Sequence, residues 1–102
     1  MTQTETINDS ETHNGWKNRA TWNISLWVAN DENVCNAAHK AVDRLKNRGI
    51  LDSAVTPSWA RSFCRVEFDA AFGKEQTPDG YGVDDPDIDW SEIANMMKDL
   101  VL

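Results

Sequence analysis

Long hydrophobic runs are missing from this 102-residue sequence. The longest uninterrupted apolar stretch is the four residues Leu26–Ala29, whereas a membrane span needs about 20 and a signal-peptide core about 7–15. No membrane association is expected. Cysteine is scarce as well: Cys35 and Cys64 are the whole complement, without a Cys-x-x-Cys spacing. Free thiols in a reducing, cytoplasmic setting are therefore expected rather than a disulfide framework. Also absent are Gly-x-Ser-x-Gly, a phosphate-binding glycine loop and His-Glu-x-x-His, the spacings that position a nucleophile, a phosphate or a zinc-bound water. A chain this short rarely encloses a substrate cavity of about 300 Å³ or more. Neither catalysis nor a cofactor is expected.

Basic side chains are missing from both flanks. Residues 1–15 carry Glu5, Asp9 and Glu11 with no lysine or arginine, and residues 76–102 carry seven acids against Lys98 alone. The stretch between them holds seven acids and nine bases, so a net charge of −7 divides into −9 on the flanks and +2 in the middle. Such a balance opposes nonspecific adhesion to nucleic acid and suits either solubility or docking onto a basic surface.

What is present is enough for one core. Hydrophobic residues make up 40% of the chain, and five of its nine aromatics are tryptophan, a composition that excludes a wholly disordered chain. Residues 1–13 are polar and threonine-rich and are expected to form a disordered arm, with a single globular domain over 14–102.

Four helices are predicted, making a mainly α bundle. The first spans 19–29, capped by Asn18, with Trp22, Leu26 and Ala29 on one face. The second spans 31–48, where Val34, Ala38, Ala41, Val42 and Leu45 recur at helical spacing and Gly49 follows as a stop. The third spans 57–72, opened by Thr56 and Pro57, with Trp59, Phe63, Val66 and Ala70 as its stripe. The fourth spans 89–101, where Asp89 and Glu92 stand as an aspartate capping box and Ile88 and Ile93 as a hydrophobic staple. Residues 73–87, with three glycines and two prolines, read as a loop. Residues 22–28 and 63–70 also alternate, which leaves an α+β arrangement with strands there as the alternative.

Several residues invite a functional assignment. Trp22, Trp59 and Trp90 are expected in the core, whereas Trp16 and Trp27 fall off the main stripes and suit an interface. Arg19 is placed to pair with Asp31 or Glu92, clamping the opening segment to the last helix, or to meet a partner's carboxylate or phosphate. Lys40, Arg44 and Arg48, with Lys46 beside them, form a basic ridge that a nucleic-acid-binding protein would use, but Asp43 in the same helix, the net negative charge and the lack of a binding motif make a solvated helix face the default reading. Cys35 and His39 share zinc-ligand spacing, but no set of four ligands accompanies them. Asp84, Asp85, Asp87 and Asp89 have the density of a calcium loop without its order, or could mimic nucleic-acid phosphates. No metal site is expected.

Two segments carry a resemblance. Asn14–Glu32, NGWKNRATWNISLWVANDE, and Ile88–Ala94, IDWSEIA, are similar to the opening and closing motifs of an uncharacterised family of small proteins from bacteriophages, plasmids and other mobile elements. Where that family often has Gly-Leu-Tyr, this chain has Asn33-Val34-Cys35. The resemblance implies a mainly helical fold and an accessory role, without an assigned activity.

Together these features point to a non-enzymatic accessory protein acting by stoichiometric binding to a host protein or complex. An inhibitor of a host defence complex, of anti-CRISPR or antirestriction type, fits that setting. The expected contact residues are Trp16, Arg19, Trp27, Asp84, Asp85 and Asp87. The alternatives are a nucleic-acid-binding regulator using Lys40, Arg44, Lys46 and Arg48, and a small homo-oligomeric assembly protein, a homodimer joined through Trp27.

Overall fold

A computed structural model describes residues 12–101 of the chain. Among them are five helices: α1 (Arg19–Asn30), α2 (Glu32–Asn47), α3 (Leu51–Ala54), α4 (Pro57–Phe72) and α5 (Trp90–Asp99). The fold is mainly α. Residues 22–28 lie wholly inside α1 and residues 63–70 wholly inside α4, so the strand alternative is wrong at both places. Alternation misled there because a run of five to seven residues satisfies both periods when one face is only half buried. Most of the proposed polar arm, residues 1–11, lies outside the described residues; His13, at its end, pairs its backbone with Trp16 in both directions at 2.8 Å.

The helix boundaries follow from local chemistry. Asn18 accepts from the Thr21 N–H, Asp31 from the Val34 N–H and Thr56 from the Trp59 N–H, so each of three helices opens on a side-chain cap. Asp31 also closes α1 as it opens α2, which joins the two helices without a loop. At the end of α2 the chain turns through Gly49 at φ +73°. The Gly49 N–H reaches the Lys46 carbonyl at 2.9 Å and the Ile50 N–H reaches the Leu45 carbonyl at 3.0 Å. These two bonds make a Schellman motif, which needs the left-handed backbone that glycine adopts without strain. The short α3 was not foreseen, because four residues carry no readable period. It continues this turn, with the Val55 N–H closing on the Leu51 carbonyl at 3.0 Å.

Helix α5 packs mainly on α4, and α2 lies against both α1 and α4. Val34, Ala38 and Val42 of α2 and Ile93 and Met97 of α5 are buried as their spacing implies. The faces of the other two long helices are rotated from those expected. In α1 the buried line is Ala20, Ile24 and Val28, with Thr21 beside it, while Trp22 and Leu26 are half-buried and Ala29 is exposed. In α4 it is Ala60, Cys64 and Phe68, while Val66 is 62% exposed and Ala70 is also open to solvent. Close helix packing at 8–10 Å favours small and branched side chains on the contact line, and the bulky indoles are left at its margins. None of the five tryptophans is fully buried: Trp16, Trp27, Trp59 and Trp90 pack against the core from its rim, and Trp22 lies edge-on to the His13 ring at 4.5 Å. The expectation that Trp22, Trp59 and Trp90 fill the core is thus corrected.

The rotated face of α4 is open to direct test by urea denaturation. Phe68→Ala is expected to cost about 3–5 kcal/mol, because it leaves a void where the ring was fully enclosed, whereas Val66→Ala should change stability by no more than about 0.5 kcal/mol.

Candidate functional site

Residues 73–89 carry a loop that satisfies its backbone without a sheet, largely by bonds within itself, while side chains at α1 fasten it to the bundle. The loop begins with Gly73 at φ +76°, which ends α4 with its N–H on the Asp69 carbonyl. It then doubles back over Thr77-Pro78-Asp79-Gly80, a strong turn sequence. Thr77 and Tyr81 pair across that turn at 2.9 Å and the Val83 N–H reaches the Glu75 carbonyl at 3.0 Å, around an isolated bridge between Gln76 and Gly82.

Two polar clusters fasten this loop to α1. In the first, buried Asn23 donates its amide to Asp79 Oδ2 at 2.8 Å and accepts from the buried Thr77 hydroxyl at 2.7 Å. The Trp27 indole N–H donates to the same Asp79 oxygen at 2.9 Å, and its ring meets Phe72 edge-on at 5.7 Å. These bonds, that from Asn23 foremost, hold the Asp79 carboxyl below the usual carboxylate range. In the second, the Thr21 hydroxyl donates to Asn18 Oδ1 and accepts from the Asp89 N–H, both at 2.8 Å, while the Asn18 amide donates to the Asp87 carbonyl at 2.6 Å. Thr21 and Asn18 are themselves buried, so every bond here replaces water that cannot reach the seam.

The opening segment is clamped to α5 as well. Asp89 caps α5 by accepting from the Ser91 and Glu92 N–H groups. The Ser91 hydroxyl lowers its pKa most, with the two backbone N–H groups and nearby Lys17 adding to the effect. The second half of the expected capping box is replaced: the Asp89 N–H goes to Thr21, and Glu92 instead accepts the Lys17 backbone N–H at 2.8 Å. The clamp anticipated for Arg19 is thus made visibly by Lys17, Asn18 and Thr21. Arg19 itself is the first residue of α1 and half-buried, and Asp31, one of its two expected partners, serves as the cap of α2.

The acidic run is also woven into the fold. The Asp84 side chain is 69% exposed, yet it accepts from both Arg61 and Arg65, and those bonds, Arg61's first, lower its pKa. Arg65 pairs with Glu75 too. Asp85 accepts from the Asp87 N–H at 2.9 Å, and the Asp87 carbonyl is bound by Asn18. Trp27 and Asp84 are therefore brought into separate internal contacts. Among the described residues, no group of three or more His, Cys, Asp or Glu is arranged to hold a metal ion.

The basic ridge lies where its spacing puts it: Lys40, Arg44, Lys46 and Arg48 are all exposed on or just beyond α2. Lys46 turns from the ridge to donate its ammonium to the Val101 carbonyl, while Asp43 shares the outer surface and accepts from Asn47 at 3.4 Å. Of the two thiols, Cys64 is completely buried, and burial, aided by Glu67, pushes it far above the ordinary thiol value; Cys35 is only half-buried. The Cys64 thiol stays protonated and is a core residue.

Three shallow hollows border this framework. One of about 370 Å³ lies between Trp16 and α5, lined by Gly15, Trp16, Glu92, Asn95, Met96 and Asp99. A second, of about 200 Å³, lies beside Trp90 and is bordered by Asp84 and Asp85. The third, of about 300 Å³, lies under the loop by Phe72 and Lys74. Asn23, Thr77 and Asp79 were overlooked in the sequence. The available signals were an asparagine on the buried side of α1 and the Thr-Pro-Asp-Gly turn.

A family model described as a family of unknown function, DUF7249, matches residues 9–102. No curated protein and no solved structure matches the chain.

The fastening clusters lead to three expected outcomes. Thr21→Val should cost about 1–3 kcal/mol in denaturant titration, because it strands the Asp89 N–H and removes a bond to Asn18, while Thr21→Ser should cost much less. The depressed carboxyls of Asp79, Asp84 and Asp89 contribute stability that is complete above the unfolded carboxylate value of about 4 and lost as pH falls through their lower folded values. The melting temperature should accordingly hold steady at neutral and mildly acidic pH and fall below about pH 4, and Asp79→Asn should remove part of that fall. In native protein, iodoacetamide should modify Cys35 and leave Cys64 untouched until the chain is unfolded.

Proposed function

The chain belongs to DUF7249, a family of unknown function, and we propose that it is a non-enzymatic accessory protein of a phage or mobile element that binds a host protein complex stoichiometrically. Inhibition of a host defence complex, of anti-CRISPR or antirestriction type, is the role this reading favours. The observation that supports it is the pairing of half-exposed tryptophans with carboxylates in two surface hollows, Trp16 with Glu92 and Asp99, and Trp90 with Asp84 and Asp85. Tryptophan is the side chain most enriched in interface hot spots, and a rim of charge gives a partner its register.

The internal bonds rank the candidate contact residues. Trp27, Asp84 and Asp87 are tied into the fold, which makes Trp16 the centre of the proposed surface. Arg19 follows three residues later at the start of α1, and Asp85 beside Trp90 forms the second patch. A negative chain with aromatic anchors complements a basic protein surface, such as the nucleic-acid-binding face of a defence enzyme. The nucleic-acid-binding alternative gains less support, since Lys46 is drawn onto Val101 and the ridge is shared with Asp43.

Affinity capture from host lysate with the tagged full chain tests the proposal. The expected result is a defined protein complex in fixed ratio to the bait, retained after nuclease treatment and released in moderate salt. Recovery of nucleic acid alone, or of the chain's own copies alone, would overturn it.

A further inference from the structure

We infer that the hollow between Trp16 and α5 is a receptor for a lysine or arginine side chain of the partner protein. This deepens the protein-binding proposal above and rests on it. Glu92, Asn95, Met96 and Asp99 stand at successive positions along one line of α5, and Gly15 and Trp16 close the other side. Gly15 has φ +87° and open space where a side chain would project, so the approach to the Trp16 ring is unobstructed from that edge. The hollow therefore has an apolar wall, the indole and a thioether, and a polar edge of two carboxylates and an amide. No lysine or arginine is among the residues that line it.

That combination complements a side chain with a long aliphatic stem and a cationic head. The stem lies along Trp16 and Met96, as such stems do on apolar surface, and the head lies over the indole face, where the ring quadrupole attracts it. Two features organise the negative edge. Glu92 is held by the Lys17 backbone N–H at 2.8 Å, so its carboxylate is oriented before any partner arrives. Asp99 is the last residue of α5, at the end of the helix where its dipole is negative. Two cations adjacent in sequence to the hollow's lining residues have carboxylate partners outside it: Lys17 lies 3.9 Å from Asp89 and Lys98 4.0 Å from Asp52. A neutral or acidic side chain would lose both the carboxylates and the cation–ring attraction.

The test is a nuclear magnetic resonance titration of the isotope-labelled full chain with a capped peptide of alternating alanine and arginine. The control peptide carries citrulline, which keeps the shape of arginine without its charge. The expected result is saturable shifts at the Trp16 indole N–H and at the Asn95, Met96 and Asp99 amides, weakened by salt and absent with citrulline. Asp99→Asn, an exposed position that leaves the core intact, should weaken the interaction about threefold, and Trp16→Leu by about the same factor. Equal shifts with citrulline, an unchanged affinity for Asp99→Asn, or shifts centred on Asp84 and Asp85 instead would overturn the inference. Equally tight binding of spermidine would also overturn it, by assigning the hollow to a free polyamine. Its failure is separable from that of the broader proposal: if wild-type and Asp99→Asn capture the same host complex equally well, the receptor is wrong and protein binding stands. If the peptide binds as expected but lysate capture recovers no complex, the receptor stands and the host-binding role falls.

Discussion

The hydroxyl of Thr21 is the point on which the rest of this structure depends. It lies buried beside the inner line of α1, donates to the Asn18 cap of its own helix, and accepts the N–H of Asp89, the cap of α5. One side-chain oxygen thus links the start of the first helix to the start of the last, across the full length of the domain. The Asn18 amide adds a bond to the Asp87 carbonyl beside it. Without this seam the segment from Gly73 to Asp89 would have to leave polar backbone groups buried and unmatched, at a cost of several kcal/mol in total. The second cluster, Asn23 with Thr77 and Asp79, repeats the same solution two residues further along α1.

Much of the recognisable opening motif is accounted for by this fastening. Asn18, Thr21, Asn23, Trp27 and Asp31 each make a specific bond within the domain. A motif dense in tryptophan and asparagine can look like a binding signature, yet here it serves to carry a loop and set the angle of α5. Functional interest therefore moves to side chains that the framework positions but does not absorb. Trp16 is the foremost of these, because it is only half-buried and stands against the outer line of α5 with its carboxylates.

Electrostatics divides the surface in the same way. The sequence suggested a free acidic run at Asp84, Asp85 and Asp87, but Arg61 and Arg65 cross from α4 to neutralise the first of them. Glu92 and Asp99 on α5 border the hollow at Trp16 without such an arginine pair among the ion pairs of the described residues. Charge counted along the chain does not foresee the arginine pairs, which form only across the fold. Exposed pairs of this kind contribute little to stability; what they change is which carboxylates carry an unneutralised charge.

Local chemistry was enough to place four helices within one or two residues of their ends, because caps, a proline at a first position and a terminal glycine act between neighbours in the chain. Asn18, Thr56 and Asp89 perform the capping role expected of them, and Asp31, expected as the first residue of its helix, is the cap instead. Which side of α1 and α4 faces inward was not decided there. Several apolar lines compete on each of those helices, and the choice of Ala20–Ile24–Val28 over Trp22–Leu26–Ala29 depends on how closely α2 and α5 approach. The bonds of Asn23 to Asp79 and of Thr21 to Asp89 span more than fifty residues, and only the packed bundle brings such groups within hydrogen-bonding reach. The same holds for the hollow at Trp16: its aromatic wall and its carboxylate edge come from opposite ends of the sequence, and the clamp between Lys17 and Glu92 makes them one surface.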